Sequence, residues 1–139
     1  MRAVGVDLGS KRIGVAVSDP SGTLASPYEV VARSGDVAAD HRRLAAIAAA
    51  VEAEVVVVGL PLSLSGAAGP AAEAVRAEVE ALRGVMPVPV ETFDERLTTV
   101  SADRSMRERG MKAPARRKVV DKLAAAVLLQ AWLDAGGGR

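Results

Sequence analysis

Four consecutive valines at residues 55–58 place the strongest constraint on what this chain can fold into. Glu54 stands before the run and Gly59 directly after it, so the apolar stretch is short and sharply bounded. Successive side chains of a strand point to opposite faces, so a strand made only of valines has no polar face that could be exposed to water. Such strands are typical of the interior of a parallel sheet that helices cover on both sides.

Alternating and helical patterns along the chain predict the other elements of this sheet. Two β-rich runs separated by a short Gly-Ser-Lys turn predict a hairpin near the start. Helices are predicted where apolar residues recur every three or four positions. The predicted order is strands at residues 3–8, 13–18 and 28–32, a helix at 36–53, a strand at 54–61, a helix marked by Val75, Val79 and Leu82 and ended by Gly84, a strand at 87–94, and helices at 98–109 and 116–133 with a break at 110–114.

The order of these elements predicts an α/β fold. A hairpin followed by βαβ crossovers gives a mixed five-stranded sheet, with hairpin-type pairing of the first three strands, parallel strands after them and helices on both faces. Pro87 and Pro89 indicate a strand start or a sheet edge, where a missing N–H is tolerated. The 139 residues show no repeat and no linker, which predicts one domain over residues 1–139. The buried positions predicted for the final helix are Val120, Leu123, Val127 and Leu128.

Composition excludes several kinds of site and location. The chain has no cysteine, which excludes disulfides, thiolate nucleophiles and cysteine-rich zinc sites. The single histidine, His41, leaves no room for a histidine metal cluster. No apolar run approaches the roughly 20 residues that cross a bilayer, and the N-terminus lacks a basic region followed by an apolar segment. A cytoplasmic location is therefore expected.

Acidic residues fall where the predicted parallel strands end, which is where open α/β sheets bind ligands. Asp7 ends the first strand, and Asp94 and Glu95 end the fifth. Strand alternation turns only one of these two neighbours toward a given face, so Asp94 is the alternative to Glu95. Asp121 interrupts the apolar final helix, beside small residues that would let this helix pack close to the sheet.

Each acid taken alone has an ordinary explanation. Asp7 would serve as a strand cap, and a buried carboxylate at position 121 would need a salt bridge. The candidate partners for that bridge are Arg117, Lys118 and Lys122. Two carboxylates about 4 Å apart repel by roughly 4 kcal/mol at an effective dielectric constant of about 20. Asp7, Glu95 and Asp121 meeting at one sheet edge would therefore raise one another's pKa values or recruit a cation.

The residue types select the cation and its chemistry. Carboxylate oxygens without histidine or cysteine select Mg²⁺ or Mn²⁺. Two such ions about 3.5–4 Å apart suit phosphodiester cleavage. In the first turn, Gly9 and Gly14 would let a substrate approach the backbone closely, and Lys11 and Arg12 would neutralise a phosphate.

Positive charge is concentrated in residues 104–122. Eight Lys or Arg stand there against two acids, a formal charge of +6 in a chain whose net charge is +1. The asymmetry indicates a polyanionic partner, and a solvated helix face is the other interpretation. The candidate phosphate contacts in this segment are Arg116, Arg117, Lys118 and Lys122.

Four motifs stand along the chain in this order: DLGSKRIGVAVSD, VVVVGLPLSLSGAAG, FDERLTT and VDKLAAAVLLQAWL. In order and spacing they resemble the YqgF/RuvX family, bacterial relatives of the RuvC Holliday junction resolvase with an RNase H-like fold. The resemblance covers nearly the whole chain. It implies a divalent-metal-dependent nuclease that acts on structured nucleic acid, in 5′-end processing of pre-16S rRNA, in Holliday-junction-type DNA cleavage, or in both.

Carried over residue by residue, the resemblance implies that Asp7, Glu95 and Asp121 are the catalytic and metal-binding acids. The substrate-binding candidates that fall within its motifs are Lys11, Arg12, Arg96, Thr98 and Thr99. The loop at residues 65–69 consists of small residues, Ser-Gly-Ala-Ala-Gly, where the resemblance leads us to expect a polar or acidic loop. This composition argues against a direct contact between the loop and substrate.

Two other classes of protein are compatible with parts of the sequence. An ATP-binding phosphotransferase of the actin or sugar-kinase type also begins with Asp-x-Gly, but it needs a second domain and a second phosphate loop. A non-catalytic nucleic-acid-binding factor of ribosome assembly could keep the fold without the chemistry. Carboxylates do not separate RNA from DNA, because that choice depends on contacts with the 2′-OH. Junction cleavage would favour a two-fold homodimer, whereas RNA trimming needs only a monomer.

Overall fold

A computed structural model of the chain describes residues 1–62, 69–94 and 113–137, with the side chains of the last range described from residue 123 onward. The strands are β1 (Ala3–Leu8), β2 (Arg12–Ser18), β3 (Ala25–Ala32), β4 (Val55–Leu60) and β5 (Val90–Asp94). The helices are α1 (Val37–Ala50), α2 (Pro70–Arg83) and α3 (Ala113–Asp134). The helix predicted at 98–109 and residues 63–68 of the loop before α2 lie outside the described residues.

The five strands form a mixed sheet in the order β3-β2-β1-β4-β5. β1 pairs with β2 and β2 with β3 in antiparallel fashion, while β1 with β4 and β4 with β5 are parallel. All six residues of β4 are buried, because this strand lies between β1 and β5 and is covered on both faces. The predicted mixed sheet and the predicted role of the valine run are confirmed.

Helices cover both faces of the sheet, as predicted. One core cluster joins Val6 of β1 to residues of α1 and α2. The other joins Ala3 of β1 and Val57 of β4 to Leu129 and Trp132 of α3. We call these two sides of the sheet the α1/α2 face and the α3 face. Within the described ranges, none of the helices combines the length and the apolar composition of a membrane span.

α3 lies very close to β1 at Gly5. A Cβ on Gly5 would lie 2.8 Å from the Cβ of Leu129 and 3.0 Å from the carbonyl oxygen of Ala125. Any side chain at position 5 would therefore push the helix away from the sheet. Ala125 is itself fully buried, so the prediction that small residues bring this helix close to the sheet is confirmed.

Strand β3 begins at Ala25, three residues before the predicted strand at 28–32. The turn before it is tighter than its Ser/Gly/Pro composition indicated. The Asp19 carboxylate accepts hydrogen bonds from the backbone N–H groups of Thr23 and Leu24, at 2.7 and 3.0 Å. Ser18 therefore pairs with Ala25 directly across the turn. β3 is an edge strand, where a proline is tolerated.

Three other boundaries differ from the predicted ones by three residues each. α1 ends at Ala50 instead of residue 53, and Glu52 just beyond it takes a left-handed φ of 56°. β5 is an edge strand, as the prolines indicated, and begins at Val90 after the second of them. α3 begins at Ala113, so the predicted break is wrong at Pro114. A proline in a first helical turn loses only an N–H that has no partner within the helix.

The buried face of α3 is only partly the predicted one. Leu128 is buried as predicted, but Leu123 and Val127 are half-buried, and the side chain of Val120 lies outside the described ones. The contact at Gly5 turns Ala125 and Leu129 toward the sheet instead. Because apolar residues lie on several sides of this helix, their periodicity did not determine which side faces the sheet. The buried residues of α3 are Ala124, Ala125, Ala126, Leu128, Leu129, Trp132 and Leu133.

Candidate functional site

Asp7 lies near the carboxyl end of β1, the central strand of the described sheet. It is half-buried and pairs with Gly14 of β2. Gly5, two residues earlier, faces α3, and side chains two residues apart in a strand share a face. Asp7 therefore points to the α3 face, at the edge of the sheet where parallel strands present ligand-binding groups.

Asp94 ends β5 at the same edge but faces the other way. It pairs in register with Leu60 of β4, which belongs to the core of the α1/α2 face. Phe93, one residue earlier, packs against the cluster of the α3 face. Alternation thus turns Asp94 to the face opposite Asp7, which disfavours it as a partner of Asp7. Glu95 follows in the chain and lies outside the described residues.

Helix α3 runs back along β1 toward Asp7. Ala125 of the helix contacts Gly5 in the middle of the strand. Trp132, about two turns later, lies beside Met1 around a small cavity at the start of β1. The helix therefore runs antiparallel to β1, and its earlier residues lie toward the carboxyl end of the strand.

The backbone of α3 carries position 121 to the height of Asp7. Asp121 precedes Ala125 by four residues, a rise of about 6 Å at roughly 1.5 Å per residue. Asp7 follows Gly5 by two residues, also about 6 to 7 Å at roughly 3.3 Å per residue. The backbone positions of the two predicted acids therefore lie at the same level along β1, one on the strand and one on the helix packed against it. The side chain of Asp121 lies outside the described ones.

The turn at residues 9–11 connects β1 to β2. Its geometry requires glycine at position 9, because a Cβ there would lie 2.4 Å from the carbonyl oxygen of Arg12. The backbone N–H of Gly9 donates to the carbonyl oxygen of Asp7 at 3.0 Å. Gly9 is thus explained by the turn itself, without a substrate. Lys11, within this turn, is exposed, and Arg12, directly after it, is half-buried.

A partly buried polar network behind the turn was not predicted from the sequence. Glu78 of α2 accepts two hydrogen bonds from the Arg33 guanidinium, at 2.8 and 2.9 Å, and lies 2.8 Å from Nε2 of His41. Burial works to raise the pKa of Glu78, but the hydrogen bonds and charges of Arg33 and His41 outweigh it and hold the pKa below its ordinary value. The hydrogen bond to Glu78 raises the pKa of Arg33 in turn. The three residues are far apart in sequence, so no local pattern marks them.

The described side chains contain only part of the predicted metal site. Among them, no group of three His, Cys, Asp or Glu could hold a metal ion. Of the predicted trio, only Asp7 has a described side chain, and its carboxylate is a hard oxygen donor that suits Mg²⁺ or Mn²⁺. The other site candidates whose side chains lie outside the described ones are Glu95, Arg96, Thr98, Thr99, Arg116, Arg117, Lys118, Asp121 and Lys122.

Comparison with solved structures identifies the class of fold. The chain of "T. thermophilus RuvC in complex with Holliday junction substrate" matches with a TM-score of 0.60 at 21% sequence identity, covering 98% of this chain and 97% of that one. The mixed five-stranded sheet with helices on both faces is therefore an RNase H-like fold.

Comparison of sequences identifies the family. The model of the family described as "RuvX: Holliday junction resolvase" matches residues 1–135. A protein of Mycobacterium sp. (strain KMS) is 51% identical over 134 residues, and one of Rhodococcus erythropolis (strain PR4 / NBRC 100887) is 50% identical over 137 residues. Both are named "Putative pre-16S rRNA nuclease", and the matches cover 96% of this chain and 79% and 77% of the relatives. The chain belongs to the RuvX family.

Proposed function

We propose that this protein is a divalent-metal-dependent nuclease that hydrolyses phosphodiester bonds in structured nucleic acid. The observation that carries the proposal is the placement of Asp7 at the carboxyl end of the central strand, on the face along which α3 runs. Membership of a family described as Holliday junction resolvases supports a hydrolase. Relatives with 51% and 50% sequence identity, both named as nucleases, support the same activity.

In this proposal Asp7, Glu95 and Asp121 hold two Mg²⁺ or Mn²⁺ ions. Such ions activate a water as nucleophile and stabilise charge on the leaving oxygen of a phosphodiester. Asp7 would contribute from β1, which is paired with β2 at Asp7 itself and with β4 as far as Val6. Asp121 would contribute from α3, whose height on the sheet is set by the contact at Gly5. The orientation of Asp94 toward the opposite face favours Glu95 as the third acid.

The substrate that we propose is the 5′ end of pre-16S rRNA, supported by the names of the relatives. A branched DNA junction is the second candidate, supported by the description of the family. Ribosomal precursors are processed in the cytoplasm, where we expect the protein to act. A junction substrate would in addition call for a two-fold homodimer.

The basic candidates would contact phosphates. Lys11 lies exposed in the turn that follows Asp7, which places it at the same edge of the sheet. The others are Arg12, Arg96, Arg116, Arg117, Lys118 and Lys122, with Thr98 and Thr99 as polar contacts. Binding through such contacts would weaken steeply as salt rises.

A side-by-side cleavage assay tests this function. The purified protein is given a pre-16S rRNA fragment and a four-way DNA junction, each with Mg²⁺ or Mn²⁺, and the cut ends are mapped. Asp7→Asn and Asp121→Asn should each lower the rate about 100-fold or more, because losing several kcal/mol of charge stabilisation costs tenfold per 1.36 kcal/mol. Asp134→Asn is the matched control, since Asp134 is an exposed carboxylate near the other end of the same helix.

Two results would reject the proposal. Cleavage that survives in Asp7→Asn and Asp121→Asn would show that these acids do not carry the reaction. Salt-sensitive binding of RNA with no metal-stimulated hydrolysis of either substrate would favour the non-catalytic assembly factor instead.

A further inference from the structure

Arg33, the residue directly after β3, holds the turn that follows Asp7. Its Nε–H donates to the carbonyl oxygen of Gly9 at 2.8 Å. Its backbone N–H donates to the carbonyl oxygen of Lys11 at 3.0 Å. One residue, just beyond the end of β3, therefore satisfies the two carbonyls on either side of Ser10.

The guanidinium of Arg33 is itself fixed in orientation. Both Nη groups donate to the two carboxylate oxygens of Glu78, a paired geometry that sets the plane of the guanidinium. His41 of α1 binds the same carboxylate from a third direction. A carboxylate only accepts hydrogen bonds, so the proton of this contact is on Nε2 of His41. We call Arg33, Glu78 and His41 the clamp.

The clamp is largely removed from water. The side chains of His41, Glu78 and Arg33 are 3%, 16% and 18% exposed. Charge-assisted hydrogen bonds are strongest where water does not compete for them. By contrast, the nearby surface pair of Arg43 with Glu29 is exposed on its arginine side, and such pairs contribute little.

The clamp lies behind the proposed metal site. Glu78 and His41 come from α2 and α1, which cover the α1/α2 face, whereas Asp7 points to the α3 face. An ion pair that only joined α2 to β3 would need no bond to the turn. Arg33 makes that bond with its Nε–H, one of the donors that its pairing with Glu78 does not use.

We propose that Arg33 is a positioning residue of the nuclease, which fixes the turn at residues 9–11 and through it the backbone of Asp7 and the direction of Lys11. Glu78 and His41 act through Arg33 by holding its guanidinium in place. The inference rests on the proposed nuclease function, since it assigns these residues a part in that reaction. It places none of them in contact with nucleic acid or metal.

The first test separates positioning from stability by kinetics and chemical rescue. Arg33→Ala should lower kcat on the RNA substrate about 10- to 100-fold, the usual effect of losing a partner that orients a metal ligand, with a smaller change in KM. Millimolar guanidinium chloride should restore part of kcat by refilling the space against Glu78, whereas sodium chloride at the same ionic strength should not. Arg43→Ala is the matched control and should keep wild-type kcat without any response to guanidinium.

The second test does not depend on activity. Amide hydrogen exchange of the peptide that covers residues 8–12 should be faster in Arg33→Ala than in the wild type. In Arg43→Ala it should be unchanged. If the wild type cleaves neither substrate, the proposed function fails, and this exchange measurement still decides whether Arg33 holds the turn.

The positioning role is overturned by either of two results in folded protein. One is a kcat for Arg33→Ala within twofold of the wild type. The other is unchanged exchange over residues 8–12. If Arg33→Ala does not fold, Arg33→Lys replaces it, because lysine keeps the charge but cannot donate to Gly9 and both oxygens of Glu78 together. It should lower kcat about tenfold, and wild-type kcat in this variant would equally overturn the inference.

Discussion

Replacing Gly5 by alanine should loosen the whole α3 face through a single methyl group. The new Cβ would lie 2.8 Å from the Cβ of Leu129 and 3.0 Å from the carbonyl oxygen of Ala125. Neither atom is the far end of a flexible side chain, so a rotamer change cannot relieve the clash. Carbon atoms are in favourable contact at about 3.5–4.0 Å, so the helix must move by about 0.7 Å or more.

The expected cost follows from the size of this displacement. Overpacking a close-packed core by one methyl group costs about 1–3 kcal/mol. Each kcal/mol is worth roughly 3–5 °C in a domain of this size, so Tm should fall by about 3–15 °C. Displacing position 121 relative to Asp7 should also lower kcat, since about 1 Å of misplacement can cost on the order of 100-fold.

Three measurements check the prediction for Gly5→Ala. Far-UV circular dichroism gives Tm, and cleavage of the RNA precursor gives kcat. The chain has one tryptophan, Trp132, which is buried between α3 and the sheet, so its emission reports directly on the docking of the helix. Its maximum should shift to longer wavelength in the variant.

A matched control and a clear refutation are available. Gly69→Ala adds the same methyl group where no atom of the described residues lies within 4 Å, and its φ of −94° suits any residue. It should leave the emission of Trp132 unchanged and lower Tm far less. Wild-type Tm, emission and kcat in Gly5→Ala would refute the claim that α3 is held against β1 at this glycine.

Three further outcomes are expected. The pKa of Glu78 is lowered below its ordinary value of 4.5, so the ionised carboxylate stabilises the fold fully above pH 4.5 and ceases to do so as pH falls through the lowered pKa. Urea unfolding should therefore show that Glu78→Gln is less stable than the wild type near pH 7. In strong acid the two proteins should be nearly equal in stability. Hydrogen bonds from Leu24, Ser21 and Thr23 lower the pKa of Asp19 to about 2, which an NMR titration of its carboxyl carbon should show. Trp132→Ala should lower the free energy of unfolding by about 3–5 kcal/mol, measured by urea denaturation.

The elements that were predicted well are those with a local signature. The four valines fix β4 as an interior strand, and the Gly-Ser-Lys turn fixes the hairpin of β1 and β2. Both depend on alternation and on turn chemistry, which operate within a few residues. The position of Asp7 at the end of β1 follows from the same local pattern.

The features that were missed depend on contacts across the fold. The orientation of α3 is set by its contact with Gly5. In a strand pattern, a glycine indicates only a weaker strand and not a helix contact. The clamp joins residues 33, 41 and 78, and from the sequence alone the lone histidine served only to exclude a metal cluster. The start of β3 was predicted too late, because the way in which Asp19 closes its turn was not recognised.

The position of β1 in the sheet implies that the proposed active site is assembled from parts that open at very different free energies. β1 has a bonded strand on each side, whereas β5, the five-residue strand that leads to Glu95, lies at the edge of the described sheet. Edge strands fray by local opening, while central strands exchange their amide protons only when the whole domain unfolds. On warming, we therefore expect the enzyme to lose activity while most of its fold persists. Activity should return on cooling, when β5 pairs with the sheet again.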